Sequence, residues 1–581
     1  MDFKQITFWG LIMKRKRLIT TIITAALTAS IALSGCGNLG PTGTTKVSTN
    51  EKQILNIIGY DFNSLDPGKV ADAQSFTAMT NVYEGLMKEV VNEKGESHNE
   101  FAGAEKVDIS EDKLTYTFHL RKDAVWTDGK PVTAKDYVYA WKRIIDPKTA
   151  APYMNLMDDI NVKGAKEIIE AVNAKKDKSE IDKLLLDFGV KAKDDYTFVV
   201  TLSKPTPYFT NVLCFKSLAP VREDKVKEQG DKFGSDPIST VYNGPFVISE
   251  YAKGSKIVYK KNDKYWNAKN VKLEQANGTI VTEPSTLVKL FENKELDVVN
   301  ASKDDLDKLK EESKKGQYQY VTRKESRACF NYYNVTSSVL KNAKIRLALS
   351  LALDRQEFLN VVYKSYLPSN GYIGNGVSCG DKEYRKAVQE PLKNVKDDPK
   401  KLFEEGLKEE GIDDASKVSL KLLLGVQTAE SKATGDYLAK LYKDKFGINI
   451  KQEFTPDAQT YYKDRTDGNF DICNGGWAAA YDDVSTFFTV FRTGDANNDG
   501  KYSNKEYDEL INKAGIENDN EKRLDLYKKA EEMLIAKDAA VMPTYYTELN
   551  QFRQNYVKNF TVPKFGPYYD LSTAYIEGKE K

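Results

Sequence analysis

The chain has 581 residues, with 86 Lys plus Arg against 85 Asp plus Glu and a formal net charge of +1. That length is too great for one core, so two or three domains are expected, and the charge balance gives no reason to expect a nucleic-acid partner. With only two histidines, His98 and His119, no HExxH helix, imidazole cluster or two-cysteine, two-histidine zinc site can be assembled. A Ser-His-Asp arrangement would have to use one of these two.

The chain begins with an address. Lys14, Arg15, Lys16 and Arg17 form a basic cluster, the apolar run LITTIITAALTASIAL follows, and Leu33-Ser34-Gly35-Cys36 closes it. This is the layout of a secretory signal, and the run is short for a membrane span. The tetrapeptide resembles a bacterial lipobox, which implies cleavage before Cys36 and lipidation of its thiol and amine. A plain membrane anchor is the other reading. Met13 directly precedes the basic cluster and is an alternative start. Residues 1–35 thus read as signal and residues 36–51, rich in Gly, Ser and Thr, as a flexible tether. Cys214, Cys329, Cys379 and Cys473 show no CxxC spacing. Disulfides and buried free thiols both fit an exported chain.

In chain order, ILNII at 54–58 reads as a buried strand, and Asn63 to Gly68 as a turn. Ser75–Leu86 has a helical pattern. Thr115–Leu120 alternates as a strand. Thr133 with Asp136 forms a capping-box pattern before a helix that carries Tyr137, Trp141, Ile144 and Ile145 and stops before Pro147. TFVVTL at 197–202 is a strand, and FVISEY with KIVYKK a hairpin. Helices are expected over Ser285–Glu295 and Ala343–Tyr363. The strand SLKLLL at 419–424, a helix over Ala429–Phe446 and the strand INIKQEF suggest a parallel α/β unit. An amphipathic helix over Asp519–Ala536 and the strand VMPTYY complete the pattern. Charge runs such as KDDLDKLKEESKK read as solvated helix faces. The 34 tyrosines suit a roomy polar cleft as well as ordinary packing.

Seven blocks then carry a resemblance. TYTFHLRKDAVWTDGKPVTAKDYVYAWKRIIDP (115–147) is similar to the signature segment of family 5 extracellular solute-binding proteins. YNGPFVISEYAKGSKIVYKKNDKYWN, KLFENKELDVV, NAKIRLALSLALDR, FDICNGGW, YSNKEYDELI and RLDLYKKAEEMLIAKDAAVMPTYY follow in family order. The likeness spans nearly all of residues 52–560. It implies an α/β, bilobal, type II periplasmic-binding-protein-like fold with an additional inserted domain and an interlobe cleft. Domain I would comprise 52–83, 222–328 and 545–581, domain II 84–221, and domain III 329–544. The two crossings between domains I and III would form a hinge.

The resemblance implies a monomeric receptor, lipid-anchored on the outer face of the cell membrane, or periplasmic where an outer membrane exists. It would capture oligopeptides and deliver them to the permease subunits of an ABC importer, without chemistry on the ligand. Binding of a different ligand and reception of a peptide pheromone are alternatives. A surface peptide hydrolase lacks a convincing nucleophile, base or metal site.

The binding segment would be NGGWAAAYDDVSTF at 474–487. Gly475 and Gly476 would let a ligand backbone approach, and Trp477 offers a flat wall, with Ala478, Ala480, Tyr481 and Asp482 beside it. Peptide-binding members usually carry Asp where this chain has Ala480, to pair with the peptide amino group. Three readings stay open: Asp482 or Asp483 takes over that role, the ligand's amino end is placed elsewhere or blocked, or the ligand is not a peptide. By the same resemblance Arg465 would help bind carboxylates, Tyr153 would touch the ligand from domain II, and residues 69–73, Ala71 and Ala73 among them, would line the domain I side. No cofactor is expected. Asp495, Asn497, Asp499 and Glu506, with Gly500, nevertheless match a twelve-residue calcium-loop spacing. A polar surface loop is the alternative.

Overall fold

The computed structural model describes residues 52–92, 97–281 and 283–579. The signal, the lipobox with Cys36 and the tether lie outside the described residues. The body is a mixed α/β structure built on three larger sheets.

The first sheet has the order Ile54–Ile58, Gln275–Thr279, Lys256–Lys261, Phe246–Ala252. Ile54–Ile58 runs parallel to Gln275–Thr279, and the hairpin strands pair antiparallel. The second sheet, Ala104–Ile109, Thr115–Leu120, Thr197–Thr201, Val190–Asp194, is antiparallel throughout. The helix Ala134–Ile145 packs on it through the buried rings of Tyr137 and Trp141. Both rings meet Phe198, at centroid distances of 5.6 and 5.4 Å. The Thr133 N–H donates to Asp136 at 2.8 Å, so the capping pattern works as expected.

The third sheet holds the longest strands. Its order is Val298–Asn300, Val541–Gln554, Tyr318–Tyr333, Ile472–Ala478, Ser419–Val426, Asn449–Thr455. Ser419–Val426 and Asn449–Thr455 are parallel, joined by the helix Ala429–Phe446, which gives the expected α/β unit. Gly447, at φ 74°, ends that helix in the left-handed region. Tyr318–Tyr333 pairs with Val541–Gln554 along most of its length, with register shifts between Lys324 and Ala328 and at Cys329/Phe330.

Three helices differ from expectation. The segment Ala343–Tyr363 forms two helices, Ala343–Ala352 and Arg355–Val362. Asp354 caps the second, and the buried Arg355 donates to the carbonyls of Pro543, Leu353 and Ser350. A break lets a guanidinium reach carbonyls that a continuous helix would keep for itself. The first helix runs Ala73–Val82, two residues earlier than its pattern, because Asp72 caps it by accepting from the Ser75 N–H. The last long helix is α-helical over Asn520–Glu532 and then opens into a π turn at Met533–Lys537. Cys214, Cys329, Cys379 and Cys473 are all free thiols.

One buried ion pair ties the helix Asn520–Glu532 to the turn after Ile472–Ala478. Both Asp483 carboxylate oxygens accept from Arg523 at 2.7 Å, with side chains 3% and 1% exposed. Asp483 also accepts from the Ser485 N–H at 2.9 Å. Removing one partner strands the other charge in the core, at a cost of about 3–5 kcal/mol. Asp483→Asn should therefore lower the urea midpoint of the first unfolding transition by that equivalent. A midpoint equal to the parent's would refute this role.

Candidate functional site

The strand Ile472–Ala478 pairs with the far half of Tyr318–Tyr333 and then leaves the sheet. The Ala479 N–H donates to Ser326 O at 3.2 Å, and the chain turns through Ala480, Tyr481 and Asp482. Segments from the 150s and from 208–216 face this turn. The Tyr208 and Tyr481 rings lie parallel, centroids 6.2 Å apart. The Asn211 side chain donates to Asp482 O at 2.9 Å. Arg492 pairs with Asp159, whose carboxyl burial pushes up to about 6 despite the guanidinium beside it. The Asn155 amide approaches Asp495 at 3.5 Å.

Two small cavities remain on either side of the turn, and both touch Phe215, Ala480 and Tyr481. One holds about 50 Å³ and is also walled by Phe76, Lys88, Glu89, Lys216 and Asp482. The other holds about 40 Å³ and is walled by Tyr153, Trp477, Thr486 and Asp495. Ligand pockets commonly run to roughly 300 Å³ or more. Neither of these two reaches that size, whereas a wider space of about 400 Å³ lies beside them, walled by Asn155, Asp159, Tyr208, Arg492 and Asp495. Two buried donors in these walls lack partners, Thr80 Oγ1 in the first cavity and Trp477 Nε1 in the second.

The residues singled out in the sequence divide into two groups. Trp477, Ala480, Tyr481, Asp482 and Tyr153 line a cavity. The Tyr153 ring meets Phe215 edge-on at 4.8 Å, and the Ala480 N–H donates to Thr486 at 3.3 Å. Of the two candidate carboxylates, Asp483 is committed to Arg523. Asp482 stays at the cavity wall, accepts from the Ser378 N–H at 2.9 Å, and is pushed up by burial.

Gly475, Gly476, Ala478, Arg465, Ala71 and Ala73 line neither cavity. The space above Gly475 is filled by protein, because a Cβ there would stand 2.6 Å from the Tyr332 ring. At Gly476 it would stand 3.1 Å from Ala328 O. These glycines serve strand packing. Arg465 is enclosed by the Tyr332, Tyr461 and Tyr462 rings, with its Nε 2.6 Å from Asp499. The N–H does not point along that line, so the contact is Coulombic rather than an aligned hydrogen bond. Ala71 is exposed, and Ala73 begins a helix.

The calcium spacing does not gather its ligands. Asp499 is taken by Arg465, Asp495 accepts from Asn497, and Glu506 points to Lys537 at 3.5 Å. Among the described residues no group of three or more His, Cys, Asp or Glu is arranged to hold a metal ion. His98 pairs with Glu100, and His119 with Asp108, both away from the cavities.

Lys88, Glu89, Phe76, Asn211, Phe215 and Lys216 were not legible as site residues. They converge from segments far apart in the chain. The one local signal is Lys216, a lone cation in the apolar stretch VLCFKSLAPV. Glu89 is strongly perturbed. Burial pushes its carboxyl from 4.5 up to about 7, against the Lys564 N–H that bonds it at 3.0 Å and the Arg323 charge. Between pH 4.5 and 7 the folded chain thus holds a proton that the unfolded chain has released. The contribution of this group to stability is present below that window and lost as pH rises through it. Glu89→Gln keeps an acceptor for Lys564 and removes the titration. The variant should melt above the parent at pH 8, by no more than about 3 kcal/mol equivalent, and match it near pH 4.5. Scanning calorimetry across pH checks this, and a variant that melts lower at pH 8 would contradict it.

Comparison with known proteins agrees with this architecture. The family model described as bacterial extracellular solute-binding proteins, family 5 Middle, matches residues 102–499. The periplasmic oligopeptide-binding protein OppA of Salmonella typhimurium is 31% identical, over 92% of this chain and 93% of its own. The dipeptide-binding protein DppE of Bacillus subtilis is 30% identical, over 94% and 97%. Among solved structures, the substrate-binding domain of an oligopeptide ABC transporter from Bacillus anthracis is 32% identical. It superposes with a TM-score of 0.79, covering 92% of this chain and all of that one. Listeria monocytogenes OppA bound to peptide is 31% identical, with a TM-score of 0.78 over 91% of this chain and all of that one. These neighbours share the bilobal fold expected from the sequence. The chain belongs to the bacterial extracellular solute-binding proteins of family 5.

Proposed function

We propose that this protein captures oligopeptides between two lobes and passes them unchanged to the permease of an ABC importer, as a monomer tethered by lipid at Cys36. The observation that carries the reading is the turn Trp477–Asp482, which faces Tyr153 and Phe215 across two residual cavities. One lobe is assigned to residues 52–328 with 545–581, including the inserted 84–221, and the other to 329–544. The paired strands Tyr318–Tyr333 and Val541–Gln554 cross between them, and their ladder is irregular near that crossing. A bulged pair can bend there without breaking sheet pairing on either side. Relatives named as oligopeptide-binding, one of them solved with peptide, support a peptide as guest. Attachment is assigned to the lipid on the strength of the motif Leu33-Ser34-Gly35-Cys36 behind its basic cluster and apolar run.

A guest that touches both lobes stabilises the closed state by its differential affinity for it. Adding a mixed tetrapeptide pool should reduce the radius of gyration in solution scattering and raise the melting temperature. At one hundred times Kd the gain is about 2.7 kcal/mol. Mass spectrometry should recover the peptides intact, and cleaved products would overturn the reading. Cys36→Ser should move the protein from the membrane fraction to the medium. If it stays with the membrane, the anchor is not the lipid.

A further inference from the structure

The cavity of about 50 Å³ beside Ala480 holds charges that peptide capture in general does not require. Lys216 begins the short helical turn Lys216–Leu218 and lines this cavity, with Lys88 on the same wall. Among the described residues the Lys216 ammonium has no hydrogen-bond or ion-pair partner. Burial pulls its pKa down and Lys88 adds to this, while the carboxylates of Glu84 and Asp570 oppose it. Glu84 is already bonded by Tyr265 and Trp266. The carboxylates around the cavity all have internal donors. Glu89 accepts from the Lys564 N–H at 3.0 Å, Asp482 from Ser378 at 2.9 Å and Asp570 from Ser572 at 2.8 Å. Ala480 brings only a methyl group. Donors left without a partner on this lining thus include the Lys216 ammonium and Thr80 Oγ1.

We propose that this cavity seats a carboxylate of the ligand on Lys216, with Lys88 beside it, so that the protein selects peptides that present an anionic group here. The inference rests on the capture reading and names its specificity. With the lobes apart, water solvates the ammonium. Closing them empty leaves a half-buried cation with fewer waters and no paired anion, which opposes closure. A ligand carboxylate supplies a charge-assisted bond that exists only in the closed form, so the anion both binds and favours closing. Water occupies about 30 Å³ in the liquid, so the remaining space suits one small polar group rather than a bulky side chain.

The test uses tetra-alanine in three forms: free amine, acetylated and succinylated, the last adding a carboxylate at the blocked end. Titration calorimetry on the full chain should give the succinylated form at least tenfold tighter binding than the acetylated one. Lys216→Met should erase that difference, and Lys216→Arg should keep it. A free-amine form that binds tightest, or a succinyl preference that survives Lys216→Met, would overturn the inference and leave peptide capture standing. Failure of all three forms to bind would overturn both.

Discussion

The bidentate pair between Asp483 and Arg523 anchors the turn on which the site depends. It holds residues 480–483 against the helix Asn520–Glu532, below the point where the strand Ile472–Ala478 leaves its sheet. A strand end alone would fray. Two charges buried together, and hydrogen-bonded on both oxygens, hold one conformation because every alternative leaves an ion unpaired in a low-dielectric interior. Tyr481 is thereby presented to Tyr208, and Asp482 to the first cavity.

Packing the turn 480–482 against the segments around Tyr153 and Phe215 places polar groups in a narrow gap. Backbone groups solve this locally, as where Thr486 receives the Ala480 N–H and Asn211 reaches Asp482 O. Arg492 and Asp159 solve it by pairing across the gap. What is left over is informative. Trp477 Nε1 and Thr80 Oγ1, on residues that line the residual cavities, lack partners, and Lys216 is a half-buried cation without an ion-pair partner among the described residues. A receptor whose closed form is incomplete by these few bonds has a built-in bias toward closing only when occupied.

Arg465 and Asp483 make a related point about charge. Both were candidates for ligand chemistry on sequence grounds, and both are consumed by the protein. Arg465 is stacked among three tyrosines beside Asp499, and Asp483 is locked to Arg523. A charged residue in a binding segment is as readily used to shape the wall as to touch the guest. Only its partners distinguish the two.

Periodicity alone determined most of the elements here. The alternation of TYTFHL, the cap at Thr133, and the strand–helix–strand order around Ala429–Phe446 are local signals that neighbouring residues settle among themselves. The order of the seven blocks likewise carried the family. Where elements depend on distant partners the sequence was silent. The break at Leu353-Asp354 follows from carbonyls that Arg355 reaches, one of them nearly two hundred positions away. The glycines at 475 and 476 looked like room for a ligand, but Tyr332 and Ala328 from the adjacent strand fill that room. Lys88, Glu89 and Lys216 come together within the fold of residues 84–221, and Asp482 joins them only where its turn packs against that segment. Local preferences act within a few residues, whereas burial and the charge pairing it demands are properties of the assembled interior, and the identity of the site residues lies there.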